Sequence, residues 1–195
     1  MTIQEVGGTK KTVDAGVEAV KAMLPTVNNV KRETLPASEL ILALQCGGSD
    51  GFSGISANPL VGRVTDWVTA NGGTSILTEI PEIFGAERLL MQRAANERVF
   101  DDIVRLVNDF KEYFMRNGEP LHENPSPGNI AGGITTLEEK SLGAVQKGGR
   151  ALVTQVLRYG ERVRAPGLAL LEAPGNDGVS STALVAAGAT LVLFT

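Results

Sequence analysis

Aromatic side chains are scarce in this chain of 195 residues, at 5% of the sequence, so any core must be built mainly from Val, Leu, Ile and Ala. Cysteine occurs once, at Cys46, which makes an intrachain disulfide impossible and fits a reducing cytoplasm. Histidine also occurs once, at His122, and that excludes a two-histidine metal site or a histidine pair within the chain. No apolar run approaches the roughly 18 residues of a membrane span. The opening MTIQEVGGTKKTVD has no apolar stretch of the kind a secretory signal carries. Concentrated positive charge is missing as well: the net charge is −4, and Lys10-Lys11 and Lys31-Arg32 are too short to count as tracts. Neither nucleic acid nor a membrane is expected as a partner, and the expected location is cytoplasmic.

What is present is an ordinary 43% of hydrophobic residues, enough for one domain with a genuine core. Residues 1–35 read as a helix and connector, and residues 36–195 as a sheet-and-helix core, together one α/β domain. Val13, Val17, Val20 and Leu24 fall on one helical face, and Pro25 to Ser38 is a polar connector. Glu39 to Gln45 (ELILALQ) is a short apolar run that ends in a Gly-rich loop, as suits a strand buried on both faces. Pro59 to Ala70 reads as a helix with Pro59 near its start, Thr74 to Thr78 as a strand, and Glu79 to Gly85 as a loop.

Ala86 to Met115 is strongly helical with a break near Asn96, and Arg116 to Gly133 is a long polar stretch of the kind that carries function. Thr136 to Lys147 is a helix that Thr135 or Thr136 can cap, with glutamates in its first turn. Leu168 to Glu172 is a strand, Ser181 to Ala187 a helix, and Leu191 to Phe194 a last strand. This alternation predicts a mostly parallel sheet flanked by helices, Rossmann-like and three-layered. The chain stops at LVLFT, at the carboxyl end of a buried strand, so the fold reads as truncated at its C-terminus.

Open parallel sheets bind ligands outside the carboxyl ends of their strands. Three loops are expected there: CGGSDGFSG, EIPEIFGAE and APGNDG. The first offers backbone N–H groups at Gly47 and Gly48 with the hydroxyls of Ser49 and Ser53, a nest for a carboxylate or phosphate, or else a plain flexible turn. It is neither a P-loop nor the dinucleotide GxGxxG. Cys46 is a small hydrophobe or a group with a direct chemical role. Asp50 is a ligand, a base or a turn-former. Glu79, Glu82 and Glu87 could together bind a divalent cation, or else lie on a solvated face and a helix N-terminus. His122 reads as a solvated loop residue. NPSPGN, ending at Asn129, reads as a lid running into a helix, on which Lys140 either neutralises a ligand's carboxylate or pairs with an acidic neighbour.

Several strings together resemble the altronate/galactarate dehydratase family: IQEVGGTKKTVDAG, LQCGGSDGFSGISANPLVG, ILTEIPEIFGAERLL, NPSPGNIAGGITTLEEKSLGAVQKGG and LVLFT. Their number, order and spacing carry the likeness across nearly the whole chain. ILTEIPEIFGAERLL is closer to the altronate-type branch. The resemblance implies a lyase that removes water from a sugar acid to give a 2-keto-3-deoxy acid, assisted by a divalent metal, iron(II) or alternatively magnesium or manganese. It also implies a small N-terminal domain and a continuation past LVLFT in full-length members, so this chain reads as a large-domain fragment, with no activity expected of it alone.

For that chemistry the candidates are Cys46, Asp50, Glu79 and Lys140 as catalytic groups. Gly47, Gly48, Ser49, Ser53, Asn58, Asn129 and Ser141 are candidates for holding the substrate, and Glu79 and Glu82 for holding metal. The partners expected are a small sugar acid and a second copy of the chain in a homodimer. Two other readings compete: a dehydratase for galactarate or sulfolactate, and a non-catalytic ligand-binding or oligomerisation domain whose glycine loops are structural.

Overall fold

The computed structural model describes all residues, Met1–Thr195, which divide into two compact units, Met1–Leu35 and Pro36–Thr195. In the first, Thr2 caps a single turn, α1 (Ile3–Val6), which Gly7 ends in the left-handed region. α2 (Thr9–Val27) runs three residues beyond the expected end at Leu24 and contains Pro25. Its apolar face is not buried within the unit: Val13, Val17, Val20 and Leu24 are between 44% and 58% exposed.

The second unit holds five strands and six helices. β1 (Ile41–Gln45) leads to α3 (Ala57–Ala70) and β2 (Thr74–Leu77). Then come α4 (Glu87–Met91), α5 (Glu97–Arg116), α6 (Pro127–Ala131) and α7 (Leu137–Ala144). β3 (Val153–Leu157), β4 (Gly167–Leu171), α8 (Asp177–Ala186) and β5 (Leu191–Phe194) complete it. The sheet is parallel throughout, in the order β3-β4-β2-β1-β5. Alternate residues serve two cores. Leu42, Leu44 and Leu77 join α3 and α5 on one face, whereas Ala43, Ile76 and Leu171 meet Ala183 and Leu184 of α8 on the other. The mostly parallel, helix-flanked fold expected from the alternating pattern is therefore present.

Four elements differ from those expected of the sequence. β3 was not expected: as an edge strand it keeps Thr154, Gln155 and Val156 half-buried, so VTQVL has no continuous apolar run. α3 starts at Ala57, two residues before Pro59, and α8 starts at Asp177, four residues before Ser181, capped by Asn176. The segment Ile80–Ile83, read as loop, is a 3₁₀ turn with Pro81 at its start.

Two glycine contacts set where α3 lies. A Cβ on Gly62 would collide with the carbonyl of Gln146, so only glycine lets α3 lie directly on the turn that follows α7. Gly54 and Gly143 meet backbone to backbone, where a Cβ on Gly54 would stand 3.2 Å from the Gly143 Cα. The carboxyl ends of β1, β2 and β4, the three central strands, all open on one edge of the sheet.

Candidate functional site

β2 delivers Glu79 to that edge in an unusual way. Glu79 is the one non-glycine residue at positive φ (φ 62°, ψ 56°), a left-handed conformation that costs a branched-free side chain about 1 kcal/mol. The next N–H, of Ile80, is held by Ala173 O at 3.0 Å, and Thr78 Oγ1 donates to Leu171 O at 2.9 Å. Both neighbours are thus tied to the end of β4, and the chain reverses at Glu79. Its side chain turns back under β1, where Oε2 accepts the Cys46 N–H at 2.8 Å and Oε1 accepts from Gln45 Nε2 at 3.3 Å.

Burial is the main reason that the Glu79 carboxyl is pushed up to about 7, and the neighbouring Glu82 carboxylate adds to it. The Lys147 ammonium and the Cys46 N–H oppose this rise, and Asp177 reinforces it.

Glu82 is also buried. Its Oε1 pairs with Lys140 Nζ at 2.9 Å, while its Oε2 has no partner. Lys140 donates its two remaining hydrogens to Asn124 Oδ1 and Asn129 Oδ1, each at 2.9 Å. Asn129 is fixed by a capping box with Ser126 at the start of α6, and its Nδ2 donates to Ser49 O at 2.8 Å. Ser49 Oγ lies 2.9 Å from Cys46 Sγ. Since Glu82 N also donates to Glu79 O at 2.8 Å, a closed circuit joins Glu79, Cys46, Ser49, Asn129, Lys140 and Glu82. It surrounds a cavity of about 190 Å³ into which Gly47, Gly48, Gly175 and Asp177 also face. No backbone acceptor takes up the N–H of Gly48 or Ser49.

The structure brings Cys46, Gly47, Gly48, Glu79, Glu82, Asn129 and Lys140 together at this cleft, and Ser49, bonded to Cys46, lines the neighbouring groove. It separates others. Glu87 pairs with Lys111 of α5 at 2.7 Å, so the three glutamates do not form one cluster. His122 is exposed. Asp50, Ser53 and Asn58 line a neighbouring groove of about 190 Å³. There Asp50 Oδ1 accepts from the N–H groups of Phe52 and Ser53, both at 2.9 Å, which closes the turn that follows it. Ser141 is fully buried and lines neither space. Lys140 pairs with an acidic neighbour, Glu82, and its three hydrogens are all taken within the protein.

Gln45, Asn124, Ser126, Lys147 and Asp177 were not singled out from sequence. Asp177 lies in APGNDG, a loop that was, and its signal was the acidic residue itself. Lys147, at the end of the helical pattern from Thr136, is 2% exposed. Gln45 ended an apolar run, and a polar residue closing a buried strand was the available clue.

The fold and cleft define a parallel α/β domain with a buried carboxylate pair and two buried lysines at the carboxyl edge of its sheet. Residues 37–195 match the family described as "D-galactarate/Altronate dehydratase, C-terminal", and the chain belongs to that family. It is 59% identical over 183 residues to an altronate dehydratase of Bacillus subtilis, an alignment covering 94% of this chain and 37% of the relative. It is 37% identical over 188 residues to a galactarate dehydratase (L-threo-forming) of Escherichia coli, covering 96% and 36%. To the (2R)-sulfolactate sulfo-lyase subunit beta of Chromohalobacter salexigens it is 32% identical over 187 residues, covering 94% and 48%. The chain thus spans less than half the length of these relatives.

Proposed function

We propose that this chain is the part of a sugar-acid dehydratase that carries the proton-transfer groups, acting on an altronate-type aldonate to give a 2-keto-3-deoxy acid. The observation that carries this reading is the Glu79–Glu82 pair, two carboxyl groups buried side by side at the ligand-binding edge of the sheet. Membership of the family supports the reaction class, and the higher identity to the altronate enzyme supports the aldonate over galactarate or sulfolactate.

Dehydration takes a proton from the carbon beside a carboxylate and expels the neighbouring hydroxyl. Glu79 is suited to the first step because a base works best when its pKa is near the ambient pH. Its Oε1 is the freer oxygen, held only by the long contact from Gln45, while Oε2 is pinned by Cys46. The unpartnered N–H group of Gly48, which lines the cleft, would take the substrate carboxylate. Lys140, with no hydrogen to spare, would act through its charge and by fixing Glu82 and Asn129.

A divalent metal is a further part of this proposal, iron(II) or alternatively magnesium or manganese. The buried Glu82 Oε2 without a partner fits it, and Glu79 stands beside it to share the ion. The chain gathers no cluster of three His, Cys, Asp or Glu, so its residues supply only two donors of such a site. When bound, the ion would supply positive charge for the enediolate that develops on proton removal.

The same reading places the protein in the cytoplasm, where the single thiol stays reduced, as a homodimer. No helix of the chain is long and apolar enough to cross a membrane.

The test is thermal melting of the chain with altronate and with manganese(II), together with an assay for 2-keto-3-deoxy acid in a longer protein that contains it. Both ligands should raise the melting temperature, and Glu79→Gln in the longer protein should abolish turnover. No shift with any sugar acid or cation, joined to full turnover by Glu79→Gln, would overturn the proposal.

A further inference from the structure

Gln45 is the last residue of β1, and its side chain is wholly buried. Strand residues two apart share a face, so it follows Ala43 toward α8. A buried amide needs partners for its polar atoms, and here the partners fix which way it faces. Ser180 Oγ gives its own hydrogen to Asn176 O at 2.7 Å, so toward Gln45 it can only accept. It accepts from Gln45 Nε2 at 2.5 Å, while Gln45 Oε1 accepts from Ser181 Oγ at 3.4 Å. A flipped amide would set its oxygen against Ser180 Oγ with no hydrogen between them. The start of α8 therefore orients the amide.

The second hydrogen on Nε2 is left for two carboxyl groups. They are Glu79 Oε1 at 3.3 Å and Asp177 Oδ1 at 3.5 Å, and both residues line the cleft. The residue after Gln45 holds the other oxygen, since the Cys46 N–H donates to Glu79 Oε2 at 2.8 Å. Two consecutive residues thus engage both oxygens of one carboxyl group, which fixes its plane as well as its place. Their backbone is pinned in turn. Gln45 O accepts the Thr195 N–H at 3.1 Å, and the Gly47 N–H donates to Thr195 O at 2.6 Å.

We infer that Gln45 is a positioning residue for the dehydration: its amide, oriented by Ser180 and Ser181, aims Glu79 Oε1 at the proton to be removed. The inference rests on the reading of Glu79 as the base, and adds what gives that base its direction. Proton transfer depends steeply on alignment, and a carboxyl group held by one oxygen alone can swing about its last bond. The Gln45 contact occupies one lone pair of Oε1 and leaves the other for the proton. Only an amide serves at this position. Glutamate would have no hydrogen for Ser180 and would set a like charge against Glu79 and Asp177. Methionine, of similar length, has no hydrogen to give.

Kinetics of the longer protein that contains this chain test the inference. Gln45→Met should lower kcat for altronate at least about tenfold while KM stays within about twofold. With altronate deuterated at the carbon beside the carboxylate, the isotope effect on kcat should be larger in the variant than in the parent. Proton removal is then the slower step, a change that a merely structural role would not produce. Ser180→Ala leaves Gln45 in place but frees its amide to turn, and should lower kcat about fivefold with KM unchanged. It carries the test if Gln45→Met does not fold. Parental kcat in either variant, or kcat and KM changing together with an unaltered isotope effect, overturns the inference while the reading of Glu79 stands. A parent that releases no 2-keto-3-deoxy acid from altronate overturns the cleft reading and the inference with it.

Discussion

Lys140 and Glu82 form the one ion pair in the chain whose side chains are both nearly inaccessible, at 5% and 7% exposed, with Nζ and Oε1 2.9 Å apart. Every other pair has at least one partner a fifth or more exposed. A buried pair of this kind contributes little net stability, because desolvation offsets attraction, but removing one partner strands the other.

Lys140→Met should therefore destabilise the chain by about 3–5 kcal/mol. It leaves Glu82 unpaired and also frees the acceptors of Asn124 and Asn129. The double variant Lys140→Met with Glu82→Leu should recover part of that loss. Urea denaturation midpoints of the three proteins check this, and a single variant as stable as the parent would show the pair to be dispensable.

Stability should fall as pH rises from about 5 to 7. Glu79 titrates near 4.5 when unfolded and near 7 when folded, so between those values the folded chain holds a proton that the unfolded chain has released. Folding is then favoured at the lower pH, and one proton corresponds to about 1.4 kcal/mol per pH unit. Glu79→Gln should flatten this slope. Chemical denaturation at pH 5, 6 and 7 gives the comparison.

Divalent cations should reverse part of that penalty, since positive charge beside Glu79 and Glu82 relieves their repulsion. Manganese(II) at neutral pH should raise the melting temperature of the parent and leave that of Glu82→Gln unchanged. The effect should vanish near pH 5, where Glu79 is protonated.

Gly62→Ala should cost about 2–3 kcal/mol although it adds only a methyl group. The new Cβ would lie against the Gln146 carbonyl and force α3 away from the turn beneath it. Gly8, whose Cβ position is open, carries its own conformational penalty at φ 111° but no such clash. A melting curve for Gly62→Ala close to that of the parent would contradict the packing described.

The strands that the sequence reading found were those with continuous apolar runs. ILALQ, TSIL and GLALL are central, covered on both faces, and so carry no polar alternation to confuse them. VTQVL escaped notice because an edge strand packs on a single neighbour and tolerates Thr154 and Gln155. That the glycine loops and their acidic residues meet at one edge of the sheet was legible, because an open parallel sheet sends the carboxyl ends of all its strands to the same side. Which of those residues would meet was not legible. Asp50 and Glu79 look equally chemical as letters, yet one closes its own turn at the surface and the other is buried against Cys46.

Local sequence alone determined the periodic elements, the glycine breaks and the absence of disulfide or paired-histidine chemistry, since each depends only on neighbours along the chain or on simple counts. The tertiary structure decided the rest. Glu79 and Glu82, Lys140, and Asn129 come from separate segments, and their charges and hydrogen bonds acquire meaning only at separations of a few ångströms. The left-handed turn at Glu79 is the clearest case: no propensity of glutamate predicts it, and it is held by bonds from Thr78 to Leu171 at the end of β4 and from Ile80 to Ala173 just beyond it.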